Sequence, residues 1–499
     1  MSSYPLATRA FTWGSLAGLV VALATSSVLS GGAIVVLALM VGITWRRDEA
    51  PVVPFLLSYQ WLQVVSGYVY FQATGIYPDS YDPGDLDLAV TLGLVGLTLL
   101  ALGIRAVGSF AARHERRVDT QLHVDNLQAL LILVLGLYAV DYVRVLAFAP
   151  GGSFSVIIDR LLQLRQIPLL LLWFEVVRQN RHRSYVWITL TWVLIPQLGS
   201  YFSDFKTPLF LLMIASAFFW EPWNARRDDI TWHGLARVAG ALAAGLFLAM
   251  LWQAGVKRDM REAYDYGAVG SSPIERITLF VDRAESALPT VLHSPGTVIE
   301  GLVSRVSYVT FFSRVLEHVP AREPHARGEL LTMAFSNAFM PRFLFPEKRG
   351  LPSDSYYTRR FAGVLVTEGN TSISIGYMAE FYADWGTTGM LISTFGYGLL
   401  MGLAVWVIRA QTPRFLTNPA LVVTMLAVLP FEHQFIKSLA TLLLSVVLAT
   451  VMTRLGAPLL MRHLDVVRAP RASLRPSDRR ASLRPTLRPM PHIRRPAEH

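Results

Sequence analysis

Residues 327–389 decide the architecture of this chain, and they read RGELLTMAFSNAFMPRFLFPEKRGLPSDSYYTRRFAGVLVTEGNTSISIGYMAEFYADWGTTG. The stretch is crowded with Arg, Lys, Glu, Tyr and Thr, and it runs directly into an apolar, membrane-type helix that starts near Trp385. It is the polar centre of the longest hydrophilic segment in an otherwise apolar chain. Functional residues are concentrated in loops that a rigid scaffold positions, so this stretch is the predicted site of any chemistry.

The composition predicts an all-α polytopic membrane protein. Hydrophobic residues make up 53% of the 499 residues and charged residues 16%, whereas a soluble domain carries about 25% charged residues. Apolar stretches of about 17–25 residues alternate with short basic loops, as in membrane-spanning helices. The chain has no cysteine, which excludes disulfides, thiolate metal sites and a cysteine nucleophile. The first apolar run, Phe11–Trp45, is too long for the core of a cleaved signal peptide.

We predict about twelve transmembrane helices in two groups. Residues 1–252 form a bundle of about nine helices, residues 253–384 form one large helical loop, and residues 385–458 contribute the last three helices. The predicted spans are two within Phe11–Trp45, then Pro51–Gln72, Leu86–Gly108, Leu127–Phe148, Ile157–Val177, Tyr185–Phe202, Thr207–Trp220, Gly234–Trp252, Trp385–Ile408, Pro419–Phe431 and Ile436–Met452. Within the loop, we predict amphipathic helices at Pro273–Pro289 and Ser294–His318.

Arginine clusters in every second loop set the predicted orientation. They lie at residues 46–47, 113–117, 178–183, 226–227 and 409–414. The positive-inside rule places such loops in the cytoplasm. Both termini are then cytoplasmic, and the loop 253–384 lies on the opposite, periplasmic side.

Residues 459–499 are predicted to form a disordered, basic tail. From Arg462 to His499 the chain holds ten Arg and three acidic residues, and it repeats ASLRP at 472–476 and 481–485. A Pro-rich segment of this composition cannot bury a core. We expect the tail to contact anionic membrane lipid, and a regulatory docking role is the alternative.

Charged residues within the spans and at their outer ends are few. Asp141 and Arg144 are three residues apart on one predicted helix, so they can form an ion pair. The groups predicted at the outer ends are Asp204, Lys206, Glu432, His433 and Lys437. They fit either the floor of a polar site or ordinary interfacial residues.

The loop combines cations, aromatic rings and carboxylates. Arg binds phosphate oxygens in a bidentate manner, aromatic faces suit sugar rings, and a carboxylate can act as a base toward a sugar hydroxyl. Together they fit transfer of a glycan from a lipid diphosphate, and they also fit a solvated domain with ordinary ion pairs. The first acidic outer loop has carboxylates that could bind a divalent cation, namely Asp79, Asp82, Asp85 and Asp87. Asp-Pro and Asp-Ser loops more commonly make turns. We therefore predict no metal and no cofactor.

Two motifs lie within the stretch 327–389, MPRFLFPEK at 340–348 and TSISIGYMAEFYADWGTTGM at 371–390. They resemble the signature of the O-antigen polymerase-like family, the oligosaccharide repeat-unit polymerases, which carries PR-x-x-x-P-x-K and E-x-Y-x-x-x-G-x-x-G. The matching positions are Pro341, Arg342, Pro346 and Lys348, then Glu380, Tyr382, Gly386 and Gly389. Asp384-Trp385 departs from the commoner Asn-Phe before the glycine.

The resemblance implies a metal-independent glycosyltransferase in the bacterial inner membrane that works on its outer face. The donor would be a glycan on undecaprenyl diphosphate, and a lipid-linked repeat unit would supply the acceptor hydroxyl. The diphosphate would be held by Arg342, Lys348 and Arg349, with Arg305 and Arg314 as second candidates. Glu380 would act as the base or position the acceptor. The reserves for that role are Asp384, His293, His318 and His325, and Tyr382 and Arg360 complete the predicted substrate-binding residues.

Two alternatives remain open. A ligase-type glycosyltransferase would use the same diphosphate chemistry on a different acceptor. A transporter or flippase of lipid-linked glycan should show paired repeats with broken helices, and the sequence shows no such symmetry. A chain-length regulator or a flippase is a possible protein partner, and nucleic acid is not expected as a ligand.

Overall fold

The computed structural model describes residues 4–46, 49–77, 84–111, 122–147, 155–194, 206–218, 247, 250–252, 273–340, 345, 352–364, 373–464 and 466–468. Within these ranges the regular secondary structure is helical apart from one pair of three-residue strands. The first half contains α1 (Tyr4–Thr25), α2 (Val28–Thr44), α3 (Val52–Thr74), α4 (Leu86–Ala111), β1 (Leu122–Val124), α5 (Leu127–Ala147), α6 (Ser155–Gln163), α7 (Gln166–Gln179), α8 (Ser184–Leu194) and α9 (Lys206–Phe218).

The long hydrophilic segment contributes α10 (Pro273–His293), α11 (Pro295–Val306), α12 (Val309–His318), α13 (Glu329–Phe339) and α14 (Asp354–Ala362). After it come α15 (Tyr377–Gln411), α16 (Arg414–Leu426), α17 (Phe435–His463) and β2 (Val466–Arg468).

The helices confirm a membrane protein without confirming the predicted number of spans. Three segments of the described chain are long and apolar enough to cross a membrane, namely Leu86–Gly108 within α4, α15 and α17. Several other helices are apolar but shorter, among them α2, α8 and α9. Twelve spans are therefore not confirmed, and most of the predicted ninth span, Gly234–Trp252, lies outside the described residues.

Several predicted helices differ from the observed ones. The predicted span Ile157–Val177 is two helices, α6 and α7, and the predicted loop helix Ser294–His318 is also two, α11 and α12. The predicted span Pro419–Phe431 begins five residues earlier, at Arg414, so Pro419 lies inside α16. The helix also ends five residues earlier than predicted, at Leu426.

The break between α6 and α7 is held against α5. Arg165, which lies in the break, pairs with Asp141 at 2.8 Å, and its guanidinium lies 4.7 Å from the centre of the Tyr138 ring. The sequence predicted Arg144 as the partner of Asp141. The side chain of Arg144 lies outside the described residues, so that pair stays a prediction.

The run Phe11–Trp45 forms two helices, as predicted. α2 begins after Ser27, whose hydroxyl accepts a hydrogen bond from the Ser30 N–H at 3.2 Å. A Cβ on Gly31 would lie 2.5 Å from the carbonyl oxygen of Gly18. The hairpin therefore depends on small residues that let two helix backbones approach closely, as in other membrane helix pairs.

Close backbone packing between α4 and α15 gives a stability prediction. A Cβ on Gly398 would lie 2.4 Å from the Leu100 carbonyl oxygen, whereas a Cβ on Gly396 would meet nothing within 4 Å. We expect Gly398→Ala to destabilise the protein by about 1–3 kcal/mol, the usual cost of overpacking. Gly396→Ala is the matched control and should be neutral or stabilising because Ala favours helix. Thermal unfolding in detergent measures both, and equal melting temperatures would contradict the close packing.

The described residues at or next to three of the arginine clusters, 46–47, 178–183 and 409–414, lie at one end of the bundle, here called the inner end. Arg46, Arg105 and Arg409 line one pocket there. Gln179 donates to the Val124 carbonyl at 2.5 Å, and Arg454 donates to the Gln411 carbonyl at 2.9 Å. This grouping agrees with the prediction that the loops with arginine clusters lie on the same side of the membrane. The side of the membrane that the inner end faces stays a prediction.

The start of the predicted tail is ordered. α17 continues to His463, and β2 pairs antiparallel with β1, with Val124 opposite Val466 and Leu122 opposite Arg468. The boundary predicted at residues 458 and 459 is therefore wrong by about ten residues. Backbone pairing with β1 orders a segment whose composition alone indicated disorder. Residues 469–499 lie outside the described residues.

The loop helices pack against the opposite end, here called the outer end. α12 contacts α4, α14 and α15, and α13 contacts α17 and α15. At the break between α11 and α12, the Tyr308 N–H donates to the Gln63 carbonyl at 2.8 Å. Part of the hydrophilic segment is therefore built into the helix bundle.

Candidate functional site at the outer end of the bundle

The turn between α16 and α17, residues 427–434, is clamped from one side by two glutamines of α3. Gln60 donates to the Leu429 carbonyl at 3.1 Å, and the Gln63 side-chain oxygen accepts from the Phe431 N–H at 2.8 Å. Gln63 also donates to the Glu432 carboxylate. Both amides are buried, with 0% and 2% of their surfaces exposed. They therefore satisfy backbone groups that water cannot reach.

Sequence reasoning missed this clamp, although a signal was present. Gln60 and Gln63 are three residues apart in an otherwise apolar predicted span, so they share one helix face. Polar side chains are costly inside a membrane and commonly hydrogen-bond across helices. Their partners lie near residue 430, however, and no local pattern in the sequence links the two regions.

Three irregular segments of backbone meet beside this clamp. They are the break at Ser307–Tyr308, the turn Ser374–Gly376 and the turn 427–434. The Tyr308 hydroxyl hydrogen-bonds the backbone of Ser374. Gly376 has φ 83°, and a Cβ there would lie 2.9 Å from the Phe431 carbonyl oxygen. Non-helical backbone inside a membrane bundle persists only where protein or a water-filled cavity surrounds it.

The two glycines of the sequence GTTG, residues 386–389, produce a sharp bend in α15. Gly386 has φ 67° and ψ −165°, a conformation that only glycine adopts readily. A Cβ on Gly389 would lie 2.0 Å from the Trp385 Cβ. The rings of Tyr377 and Tyr397 lie 5.3 Å apart, whereas twenty residues of straight helix would separate them by about 30 Å. Residues 377–385 are therefore folded back beside the helix that follows.

Glu380 lies on the folded-back segment and holds the start of α17. It is 4% exposed, and its Oε2 accepts a hydrogen bond from the Phe435 N–H at 2.8 Å. A carboxylate at a helix N-terminus is favoured by the free N–H groups and the helix dipole. This geometry gives Glu380 a positioning role, and a role as base is untested.

Asp384, one turn later on the same face, caps a second helix. Its Oδ1 accepts from the Leu330 N–H at 3.1 Å, and its Oδ2 accepts from the Leu331 N–H at 2.8 Å. Both amides lie in the first turn of α13. We interpret Asp384 as the residue that docks α13 onto α15, which leaves its predicted reserve role as a catalyst untested.

The cap gives a prediction for Asp384→Asn. The asparagine side chain has a single oxygen that can accept a hydrogen bond. Its NH₂ group would then face the second of the two backbone N–H groups, those of Leu330 and Leu331. We expect a loss of about 0.5–2 kcal/mol in α13 docking, the usual cost of removing a helix cap. Hydrogen exchange of the Leu330 and Leu331 amides should accelerate, while exchange in α4 should not change. Unchanged protection of α13 would contradict the capping role.

Arg360 and Tyr382 both bind other groups of the protein, Arg360 through ion pairs and Tyr382 through a hydrogen bond. The Arg360 guanidinium pairs with Glu323 at 2.7 Å and with Glu329 at 3.1 Å. Burial lowers the pKa of Arg360, but these two carboxylates outweigh burial, so the pKa is raised overall. The Tyr382 hydroxyl donates to the Val319 carbonyl at 3.2 Å. Both residues therefore stabilise the packed loop helices in the structure, and substrate binding by either stays a prediction.

The remaining predicted residues are scattered. Arg305 is exposed in the last turn of α11 and acts electrostatically on Tyr59 and Tyr308, while Arg314 is half-buried on α12. His293 contacts the Pro289 carbonyl, His318 packs against Gly363, and His325 lies edge-on to Tyr382. Arg342, Lys348 and Arg349 lie outside the described residues.

Both described flanks of the basic segment 341–351 contact the start of α17. On one side, the Phe335 ring of α13 lies 6.1 Å from the Phe435 ring. On the other side, Asp354 of α14 pairs with Lys437 at 2.6 Å. The described residues on either side of the segment therefore lie beside the same helix end.

A cavity of about 460 Å³ lies against the turn 427–434, with Ala427, Leu429, Pro430 and His433 in its lining. Such a volume falls within the range of about 300–1,000 Å³ that ligand pockets occupy. Its basic lining residues are Arg160, Arg165, Lys206 and His433, and its aromatic ones are Tyr59, Tyr138 and Phe210. Sequence reasoning placed Lys206 and His433 at the outer ends of spans, but it did not identify Arg160 or Arg165.

Within the cavity, Arg160 and His433 are positioned by defined contacts. Arg160 donates to Gln163 at 2.8 Å and to Thr441 at 3.3 Å. Burial lowers the pKa of His433; Glu432 opposes this, while Lys437, Lys206 and Arg160 add to it. His433 is therefore neutral near pH 7 and able to accept a proton. Within the described ranges, no group of three or more His, Asp or Glu is placed to hold a metal ion.

Comparison with known proteins adds one match. The sequence profile of a domain of unknown function (DUF8712) matches residues 285–411. No curated protein and no solved structure matches the chain. The matched residues run from within α10 to the end of α15, so they include the loop helices and the bent helix with Glu380 and Asp384.

Proposed function

We propose that the chain is an integral-membrane glycosyltransferase that polymerises lipid-linked oligosaccharide repeat units. The single observation that carries this proposal is the cavity beside the turn 427–434. It offers two arginines, a lysine and a histidine together with tyrosine rings, and none of its described lining residues is Asp or Glu. A lipid-linked glycan diphosphate combines the negative charge and the sugar rings that such a lining binds.

The charge balance of the cavity supports a diphosphate ligand. Asp141 pairs with Arg165 at 2.8 Å, and Arg160 and Lys206 are two further basic groups on the lining. Cations in a site of low dielectric stabilise negative charge that develops on a leaving group. Leaving diphosphate would develop such charge as its bond to the sugar breaks.

The depth of the turn also supports a lipid-borne substrate. α16 has 13 residues and so rises about 20 Å, whereas the hydrocarbon core of a membrane is about 30 Å thick. With Arg414 at the inner surface, the turn 427–434 lies below the outer surface. A diphosphate attached to a polyprenyl chain enters such a site from the membrane.

The proposed reaction forms one glycosidic bond for each bond broken. The hydroxyl oxygen of the acceptor sugar attacks the anomeric carbon of the donor glycan. The bond from that carbon to the diphosphate oxygen breaks, and the diphosphate leaves on its lipid. His433 accepts the hydroxyl proton, while Glu380 holds the turn that carries His433. Arg342, Lys348 and Arg349, predicted to bind the diphosphate, would approach from a segment whose two flanks contact the start of α17.

An assay with purified protein in lipid nanodiscs tests the proposal. The substrate is undecaprenyl-diphosphate oligosaccharide isolated from the cells that make the protein, and EDTA is present throughout. We expect a ladder of longer glycans and release of undecaprenyl diphosphate. Elongation only of an acceptor without a lipid diphosphate would indicate a ligase instead. Movement of a fluorescent lipid-linked glycan across the bilayer without bond formation would indicate a transporter. The broken helices of the structure favour that second candidate, because transporter sites are commonly formed by broken helices.

The role of His433 gives a pH prediction. Glu432 raises the pKa of His433 against the effect of burial, so Glu432→Gln should lower that pKa further. Because the neutral imidazole is the active form, the acid limb of kcat/KM should move to lower pH in Glu432→Gln. Glu329→Gln is the control and should leave the profile unchanged, because Glu329 pairs with Arg360. An unmoved acid limb in Glu432→Gln would rule out His433 as the base.

A further inference from the structure

The first turn of α17 lies well inside the bundle rather than at its outer end. The Phe435 ring of α17 lies 5.3 Å from the Tyr397 ring of α15. Tyr397 follows the bend at Gly386 by eleven residues, which corresponds to about 16 Å of straight helix. α15 continues from Tyr397 to Gln411 for a further fourteen residues, or about 21 Å. The Phe435 ring therefore lies near the middle of this membrane-spanning helix.

α4 gives a second measure of that depth. A Cβ on Gly398, the residue after Tyr397, would lie 2.4 Å from the Leu100 carbonyl oxygen. Leu100 comes fourteen residues after Leu86, where the apolar span of α4 begins, so it lies about 21 Å along that span. Since the hydrocarbon core of a membrane is about 30 Å thick, the Tyr397 ring and the Phe435 ring beside it lie at the depth of the core.

α13 runs from the bend of α15 toward the start of α17. In its first turn, the Leu330 N–H donates at 3.1 Å to Asp384, which lies two residues before the bend. Farther along α13, the Phe335 ring lies 6.1 Å from the Phe435 ring. The sequence predicts that α13 belongs to a segment outside the membrane, yet its second half reaches the depth of the core.

α14 runs beside α13 in the opposite direction. Asp354, in its first turn, pairs with Lys437 of α17 at 2.6 Å. Arg360, in its last turn, pairs at 3.1 Å with Glu329 at the start of α13. The pairing of Asp354 with Lys437 is what charged groups at membrane depth commonly require. The two helices therefore descend from the outer end and return to it.

The break before α12 lies at a similar depth. The Tyr308 N–H donates to the carbonyl of Gln63, which is the central residue of α3, Val52–Thr74. A Cβ on Gly84, which precedes α4, would lie 3.0 Å from the Glu317 carboxylate in the last turn of α12. α12 therefore runs from the middle of the bundle back to the outer end, as α14 does.

One face of α13 is exposed along this path. Its exposed residues have the spacing of a single helix face, and they are Thr332, Phe335, Ser336 and Phe339. Phe339 is 66% exposed and lies one turn farther along the helix than Phe335. Exposed phenylalanine rings are unfavourable in water and favourable next to hydrocarbon, so lipid chains suit this face at that depth.

We propose that α13 and α14 form a re-entrant hairpin, and that the exposed face of α13 binds the hydrocarbon chains of lipids in the leaflet at the outer end. The hairpin brings part of the predicted periplasmic segment to membrane depth. There its phenylalanine rings contact lipid, while Asp354 pairs with α17. The proposal does not depend on the glycosyltransferase activity.

Spin labels on single cysteines test the proposal, because the chain has no cysteine of its own. The full-length variants Phe339→Cys, Ile392→Cys and Arg322→Cys are labelled in phosphatidylcholine nanodiscs. Oxygen concentrates in hydrocarbon, whereas nickel ethylenediamine diacetate stays in water, and power-saturation EPR measures the collisions of each with the label. Ile392 is 67% exposed on α15 and serves as the lipid-facing reference, and the exposed Arg322 serves as the water-facing one. We expect the label at residue 339 to match that at residue 392, with more collisions by oxygen than by nickel, and the label at residue 322 to show the reverse.

Two milder variants protect the test against a disturbed fold. Thr332→Cys and Ser336→Cys replace small polar residues on the same face of α13. The ratio of oxygen to nickel collisions should rise from residue 332 through 336 to 339, because the helix runs inward, and a misfolded hairpin would not give this order. A label at residue 339 that collides with nickel as often as the label at residue 322 would overturn the proposal, because the face would then lie in water. A label there that meets neither reagent would also overturn it, because protein would then cover the face.

Discussion

Glu380→Ala is expected to abolish glycan polymerisation, while Glu380→Gln is expected to retain most of it. The Phe435 N–H donates to Glu380 at 2.8 Å, and the pair is buried among aromatic rings, with Phe381 4.7 Å from Phe435. Alanine leaves the N–H without an acceptor, which costs about 1–3 kcal/mol in a buried site. The start of α17, directly after the turn with His433, would then lose one of the hydrogen bonds that hold it. Glutamine keeps an acceptor oxygen at the same distance along the side chain.

The two substitutions separate positioning from proton transfer. If Glu380 is the base, as the resemblance to repeat-unit polymerases implies, both variants lose activity because glutamine cannot accept the proton. If Glu380 positions the turn, only the Glu380→Ala variant loses activity. The initial rate of chain extension in nanodiscs measures the difference, with protein amount and melting temperature recorded for each variant. An inactive but fully folded Glu380→Gln protein would contradict the positioning role.

Arg160→Ala is expected to lower the rate of polymerisation by about 10²–10³, the usual effect of losing one donor to developing negative charge. Arg160 lines the cavity and is held by Gln163 and Thr441, so its charge is fixed in place before substrate binds. Arg160→Lys should recover part of the rate, because lysine keeps the charge but cannot make a forked contact.

Arg322→Ala is the matched control for Arg160→Ala. Arg322 is an exposed arginine in the segment between α12 and α13, and it does not line the cavity. Removal of an exposed charge usually changes an interaction free energy by less than about 1 kcal/mol. The rate of polymerisation by Arg322→Ala should therefore stay near that of the wild type. Equal rates for Arg160→Ala and Arg322→Ala would show that the cavity does not contribute to the reaction.

The local features of the fold could be predicted from the sequence. The periodicity and apolar length of α4 predicted a helix from Leu86, where it is observed. Glu380 and Asp384 are four residues apart, a spacing that indicates one shared helix face, and both carboxylates cap helices from the folded-back segment. The glycines of the GTTG motif were recognised from the resemblance, and their physical roles are the bend at Gly386 and the room for Trp385 at Gly389.

The long-range features could not be predicted. The break between α11 and α12 contains no proline or glycine, only Ser307 and Tyr308, and the contact of Tyr308 with Gln63 holds it in place. The cavity draws its lining from α3, α5 and several later elements. A local pattern indicates that a residue is polar or apolar, but it does not indicate which distant residue will lie beside it. Arg160 was therefore missed.

Photo-crosslinking tests most directly whether the cavity holds the donor diphosphate. An undecaprenyl-diphosphate oligosaccharide with a photoreactive group on the lipid carbon next to the diphosphate is bound to the protein in nanodiscs, and labelled peptides are identified by mass spectrometry. We predict labelling of peptides around Arg160–Gln166 and Lys206–Leu211, which line the cavity, and loss of this labelling in Arg160→Ala. Labelling confined to peptides outside the cavity, unchanged by Arg160→Ala, would contradict the proposed site.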